Sequence, residues 1–98
     1  MFEPKIMNSQ TDLLMKAILT LKNEEDAYRF FEDLCTIPEI KSISQRLEVA
    51  YLLDKKETYQ KIADETGASS ATISRVNRSL TYGADGYRRV LEAMGEEK

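Results

Sequence analysis

The side chains best suited to chemistry lie between Thr58 and Leu80, in the sequence TYQKIADETGASSATISRVNRSL. They are short hydroxyl groups and two arginines, and no acidic residue occurs from Gly67 to Tyr82. Hydroxyl and guanidinium groups donate hydrogen bonds to phosphate oxygens and to the edges of bases. The segment therefore predicts recognition of a nucleic acid rather than the making or breaking of bonds.

Two short helices are predicted to position these side chains. Thr58 is a good N-cap, and Gly67 ends the first helix because glycine adopts the left-handed region without a Cβ penalty. Ser69 caps a second helix, so the segment is predicted to be a helix-turn-helix. Its spacing constraints are met by Ile62, Ala63, Gly67, Ile73 and Val76. The residues of its first helix expected to face inward are Tyr59, Ile62, Ala63 and Thr66.

The second helix of this segment has two different faces when successive residues are placed about 100° apart. Ile73, Val76 and Leu80 fall on an apolar side. Ala71, Ser74, Arg75 and Arg78 fall on the opposite side. Short side chains from Ser69 to Thr72 would let the backbone approach base edges closely, and the arginines can bind phosphate or guanine. The alternative is a helical hairpin that serves only for packing or for contacts with another protein.

The charge distribution supports the nucleic-acid hypothesis, although the whole chain has a net charge of −3. Residues 1–54 contain 6 basic and 10 acidic residues, a net charge of −4. Residues 55–89 contain 7 basic and 4 acidic residues, a net charge of +3. The basic excess coincides with the predicted helix-turn-helix, as a surface facing phosphates requires.

Composition excludes several other classes of site. The chain has one cysteine, Cys35, and no histidine, which excludes an internal disulfide, a zinc site with these ligands and a Ser-His-Asp triad. The acidic clusters at Asp64/Glu65 and at 24–26 are explained by exposure and helix capping, so no enzyme is expected. No stretch approaches membrane-spanning length and no signal peptide is recognisable, so a cytoplasmic protein is expected.

Six helices and no strand are predicted, which gives an all-α fold with residues 1–98 in one domain. Residues 1–8 are expected to be an irregular arm, residues 9–55 the core helices, residues 58–80 the helix-turn-helix and residues 85–94 a last helix. The third helix, about Pro38 to Lys55, is expected to be the central packing element. It has two apolar rows, Ile40/Ile43/Leu47/Ala50 and Val49/Leu52/Leu53.

The first predicted helix is apolar on nearly all sides. Apolar residues recur along it at helical spacing: Leu13, Leu14, Met15, Ala17, Ile18, Leu19 and Leu21. A helix of this kind must be covered on most sides, and one small domain offers few neighbours. A second subunit is therefore expected to cover it, and burial within a monomer is the alternative.

The segments quoted above resemble the Trp repressor-like family, and most closely its YerC/YecD-type branch. The resemblance also covers SISQRLEVAYLL and DGYRRVLEAM, and thus about Thr36 to Met94. It implies six helices per chain, an intertwined homodimer and two helix-turn-helix heads that enter successive major grooves. By the family motif, Tyr59 and Gln60 contact backbone phosphates. The candidate DNA-binding residues are Thr58, Tyr59, Gln60, Ser69, Ser70, Ala71, Thr72, Ser74, Arg75 and Arg78.

The same resemblance implies a candidate effector pocket. The founding member binds tryptophan between an arginine of its third helix and an arginine-glycine pair of its fifth. Here Arg75 is kept, but Gln45 replaces the other arginine and Val76 replaces the glycine, so an apolar side chain stands where the indole would bind. Tryptophan control is therefore not expected, and no cofactor or metal is expected. The candidate pocket residues are Thr36, Gln45, Arg46, Arg75, Val76 and Ser79.

Sequence alone thus predicts a homodimeric transcriptional regulator that binds double-stranded DNA. It would read a two-fold symmetric operator through the helix Ser70–Leu80. The alternative is a helical protein-interaction or dimerisation module that does not bind DNA. The acidic N-terminal half motivates this alternative.

Overall fold

The computed structural model describes residues 2–96, without the side chain of Glu96. This range contains six α-helices and no strand, which confirms the all-α prediction. The helices are α1 (Ser9–Ile18), α2 (Glu24–Leu34), α3 (Ile37–Asp54), α4 (Tyr59–Thr66), α5 (Ser70–Tyr82) and α6 (Gly86–Glu96). None of them is long and apolar enough to cross a membrane.

Two helix ends differ from the sequence prediction. Helix α5 continues through Thr81 and Tyr82, beyond the predicted end at Leu80, and the hydroxyl of Thr81 donates to the Asn77 carbonyl at 3.0 Å. Helix α1 ends at Ile18, where the hydroxyl of Thr20 donates to the Ala17 carbonyl at 2.7 Å.

The chain divides into two compact units, Met1–Ile37 and Pro38–Lys98. The first unit holds α1 and α2, and both helices begin at an asparagine cap. The Asn8 side chain accepts from the Thr11 amide at 2.9 Å, and the Asn23 side chain accepts from the Asp26 amide at 2.8 Å. Such caps satisfy amides that have no partner within the helix, so each helix start is determined locally.

Neither helix of the first unit buries a residue in the single chain. Leu13 is 71% exposed and Leu19 is 84% exposed, although both belong to the apolar stripe of the sequence. The alternative of burial within a monomer is therefore wrong for these two leucines. The apolar surface of α1 lies open in one copy of the chain.

The second unit has a continuous apolar core between α3, α4, α5 and α6. Its buried members are Val49, Ala50, Ile62, Ala68, Ile73, Val76, Leu80 and Leu91. The expected core face of α3 is only partly confirmed, because Val49 and Ala50 are fully buried whereas Ile43 and Leu47 are exposed. The C-terminal half of α3 thus supports the helix-turn-helix, and the more N-terminal apolar residues line its surface.

Candidate nucleic-acid interface

Helix α4 begins at the cap predicted from the sequence. The Thr58 hydroxyl accepts from the Lys61 amide at 3.2 Å, so this side chain is engaged in capping. Tyr59 is 43% exposed, and the expectation that it faces inward is wrong. It occupies the first position of α4, and the buried side of this helix begins with Ile62. Gln60 is also exposed, and its amide nitrogen donates to the Asp64 carboxylate at 3.0 Å.

The turn between α4 and α5 requires glycine. Gly67 has φ of 73° and its amide donates to the Ala63 carbonyl at 2.9 Å, which ends α4 as predicted. Left-handed backbone of this kind costs a residue with a Cβ atom about 1–2 kcal/mol. Ala68 follows and is buried in the core, so the turn anchors the start of α5.

Helix α5 presents its N-terminus with a satisfied cap. The Ser69 hydroxyl accepts from the Thr72 amide at 3.1 Å and lies 3.1 Å from the Thr72 hydroxyl, as expected for a residue at the N-cap. Ser70 and Ala71 are exposed, and Thr72 is half-buried. The first turn of α5 therefore offers short side chains to an approaching molecule.

The two faces of α5 are separated as the helical wheel predicts. Ile73, Val76 and Leu80 are buried in the core. Ser74, Arg75 and Arg78 are exposed. Within residues 2–96, neither arginine is in an ion pair, since the pairs formed there use Lys16, Arg29, Lys61 and Arg89. Both guanidinium groups are therefore available to bind an anion.

The surface of α4 is less basic than that of α5, which sequence reasoning did not anticipate. Lys61 lies 3.1 Å from the Glu57 carboxylate. The hydrogen bond that Lys61 donates to this carboxylate, together with the charges of Glu57 and Glu65, raises the pKa of Lys61 above its ordinary value. The positive charge of Lys61 is thus offset by its neighbours, whereas those of Arg75 and Arg78 are not.

Arg88 is a further residue that the sequence prediction missed. Its Nε atom donates to the Leu80 carbonyl at 3.2 Å, in a partly buried position. The carbonyls in the last turn of a helix have no partner within the helix, so this bond fixes the C-terminal end of α5 to α6. The two bonded residues are eight positions apart and on opposite sides of a turn, so no local sequence motif could have identified this bond.

The candidate effector residues are distributed over both units of the chain. Thr36 belongs to the first unit, and the other five belong to the second. Val76 is 2% exposed within the core, Arg75 is exposed, and Gln45 donates to the Thr66 carbonyl at 3.2 Å. Arg46 and Ser79 do lie together, in an open surface cavity of about 610 Å³ that Ile43, Leu47, Tyr87 and Val90 also line.

No group of three metal-ligating side chains of the kind that could hold an ion occurs in the described residues. Cys35 is a free, half-buried thiol. The exposed polar side chains of α5 are hydroxyls, the amide of Asn77 and the cations of Arg75 and Arg78. These groups bind anions by hydrogen bonding and charge.

The fold and this surface define a helix-turn-helix protein, in which one helix packs on a core and exposes polar and basic side chains. The model of the Trp repressor protein family matches residues 9–95. The chain therefore belongs to the Trp repressor family, which is a family of DNA-binding transcriptional regulators.

Similar proteins agree with this membership over nearly the whole chain. The uncharacterized protein YerC of Bacillus subtilis (strain 168) is 54% identical over 92 residues, which are 94% of this chain and 88% of YerC. The structure of a TrpR-like protein from Eubacterium eligens ATCC 27750 is 56% identical with a TM-score of 0.88 and covers 96% of this chain and 97% of its own. A structure from Staphylococcus aureus, provisionally assigned as a Trp repressor, is 51% identical with the same TM-score and covers 96% and 94%.

Proposed function

We propose that this protein is a homodimeric transcriptional regulator that binds two-fold symmetric double-stranded DNA through α5. One observation carries the proposal: α5 packs one face in the core and exposes two unpaired arginines on an acid-free opposite face. In helix-turn-helix proteins the second helix enters the major groove with its N-terminal residues at the base edges. The role is one of binding, without catalysis.

The homodimer is supported by the apolar surface that one copy leaves open. Leu13, Leu19 and Leu34 are each at least half exposed in the first unit, and Val90 and Met94 are about half exposed on α6. Exposed apolar side chains in this number are typical of a surface that a partner covers. In the proposed dimer, the α5 helices of the two subunits would lie one turn of DNA apart, about 34 Å. The proposed site of action is the bacterial cytoplasm, where the chromosome lies.

The proposed regulator does not require tryptophan. The Val76 side chain of α5 fills space in the core, and the amide of Gln45 is already bonded to the protein backbone. We therefore expect the DNA affinity to be the same with and without millimolar tryptophan. A tryptophan-dependent rise in affinity would refute this part of the proposal.

Selection of bound duplexes from a random pool tests the central proposal. The selected sequences should share a motif with two-fold symmetry, and affinity should fall steeply with salt because phosphate contacts release counterions. If the purified protein selects no duplex at low salt, DNA binding is refuted. If a pull-down then recovers a protein bound through Arg75 and Arg78, the interaction-module alternative replaces it.

Substitution of Arg75 provides a matched test within the protein. Arg75→Ala should weaken binding to the selected duplex about tenfold, because a specific arginine contact is worth about 1–3 kcal/mol. Thr72→Ala should weaken it less. The control is Arg29→Ala, which removes an exposed arginine of α2 paired with Glu25 at 2.8 Å. Fluorescence anisotropy should show no change for this control, and equal losses for Arg75 and Arg29 would contradict the assigned interface.

A further inference from the structure

A side-chain bond from α3 reaches the turn of the helix-turn-helix. The Nε2 atom of Gln45 donates to the Thr66 carbonyl at 3.2 Å, in a partly buried position, across 21 residues of sequence. The other contacts between α3 and the helix-turn-helix that define the core are apolar, at Val49 and Ala50. Apolar contacts are not directional, whereas a hydrogen bond weakens steeply when its angle changes.

The acceptor of this bond, Thr66, makes two further hydrogen bonds at the turn. The Thr66 hydroxyl donates to the Ile62 carbonyl at 2.7 Å and accepts from the Ala68 amide at 3.1 Å. Thr66 thus links the last turn of α4 to the backbone just before the cap of α5. Its own carbonyl is in the last turn of α4, where it has no partner within the helix, and Gln45 supplies one.

The position of Gln45 suits this role. It is half-buried and lies four residues before Val49, so both side chains lie on the same side of α3. Its amide nitrogen contacts the turn while the apolar residues after it pack against Ile62 and Ile73 in the core.

We propose that Gln45 is a positioning residue, whose hydrogen bond to Thr66 orients α5 for DNA without any bound effector. This inference rests on the proposed function. The residue does not contact DNA itself, and it acts through the turn 66–69. Arg88 makes the corresponding bond at the other end of α5, to the Leu80 carbonyl. The reading helix is thus tied at both ends by side chains of the same chain.

Three variants separate the bond from the bulk of the side chain. Gln45→Met keeps the size and removes the donor, Gln45→Lys keeps a donor, and Gln10→Met makes the same exchange at an exposed site of α1. The readout is the ratio of affinities for the duplex selected by the wild type and for a duplex of unrelated sequence. We expect Gln45→Met to lower this ratio about five-fold, the change that loss of one such hydrogen bond commonly causes. Gln45→Lys and Gln10→Met should retain the ratio.

A merely stabilising role would lower both affinities together and leave their ratio unchanged, and that result would overturn the proposal.

A second readout does not require DNA. Hydrogen exchange of the Ala68 amide in the free protein should be about five-fold faster in Gln45→Met, and unchanged in Gln10→Met. An unchanged rate in Gln45→Met would also overturn the proposal. If the wild type selects no duplex, the proposed function fails, and the exchange rates alone decide whether Gln45 orders the turn.

Discussion

The two units of the chain use their apolar residues in opposite ways. In Pro38–Lys98, eight apolar side chains form a buried core around α5. In Met1–Ile37, the described residues include no buried one, although α1 and α2 are amphipathic and well capped. An apolar stripe therefore shows which side of a helix avoids water, but it does not show which molecule covers that side. The second unit buries the apolar stripe of α5, and the proposed homodimer would cover the stripe of the first unit.

The largest effect should come from the core of the second unit. Ile62→Ala should lower the free energy of unfolding by about 2–5 kcal/mol, because the side chain is fully buried and its removal leaves a cavity. Urea unfolding followed by circular dichroism would measure it. Ile6→Ala, at a residue 65% exposed, should change this free energy by less than about 0.5 kcal/mol. Similar costs at the two sites would contradict the comparison of the units.

The next effect concerns the open surface of the first unit. Leu13→Asp should weaken the proposed homodimer at least tenfold, because burying a leucine is worth about 1.5–3 kcal/mol and each subunit loses one. Sedimentation equilibrium would measure the dissociation constant. Lys16→Ala changes an exposed residue that pairs with Asp12 on the same helix, and it should have little effect. A wild-type protein that is monomeric at micromolar concentration would refute the dimer.

Gly67 tests the turn on which the interface depends. Gly67→Ala should lower the free energy of unfolding by about 1–2 kcal/mol, through backbone strain at positive φ alone. An added Cβ would meet no atom within 4 Å, so a steric clash is not involved. Gly95→Ala is the matched control, because its Cβ also meets no atom within 4 Å, and its position in α6 favours alanine. Thermal unfolding should show opposite signs for the two substitutions.

The smallest effect should come from the Glu57–Lys61 pair. Glu57→Gln removes a carboxylate beside the proposed interface and frees Lys61 to bind phosphate. DNA affinity should therefore rise a few-fold. The dependence of log affinity on log salt should also become steeper, by the amount that about one phosphate contact contributes. The pair raises the pKa of Lys61. The stabilisation that the pair provides is therefore complete below the ordinary lysine pKa, and it is lost only when the pH rises above that pKa. The effect should therefore be constant from pH 6 to about pH 9. Unchanged affinity in anisotropy titrations would place Lys61 outside the interface.

Much of the fold follows from short-range signals in the sequence. The caps at Thr58 and Ser69 and the left-handed ending at Gly67 all depend on a residue and its near neighbours, and each was predicted correctly. The separation of the faces of α5 follows from helical geometry alone. These features place the candidate interface on the exposed face of α5 in the second unit.

The features that were missed depend on contacts distant in sequence. The exposure of Ile43 and Leu47 depends on which helices pack on α3, and periodicity gives no information about this. The bond from Gln45 to Thr66 joins residues 21 positions apart. From the resemblance, Gln45 was expected to line an effector pocket, and its contact with the turn could be seen only in the structure.

The order of synthesis on the ribosome affects how long the apolar surface of α1 stays exposed to water. The first thirty-seven residues emerge before the segment that has a core of its own, and domains generally fold in that order. Their apolar side chains therefore stay in water longest, and in the proposed dimer they are covered only when a second chain has been made. The supply of newly synthesised chains would then determine how much of the proposed regulator is complete.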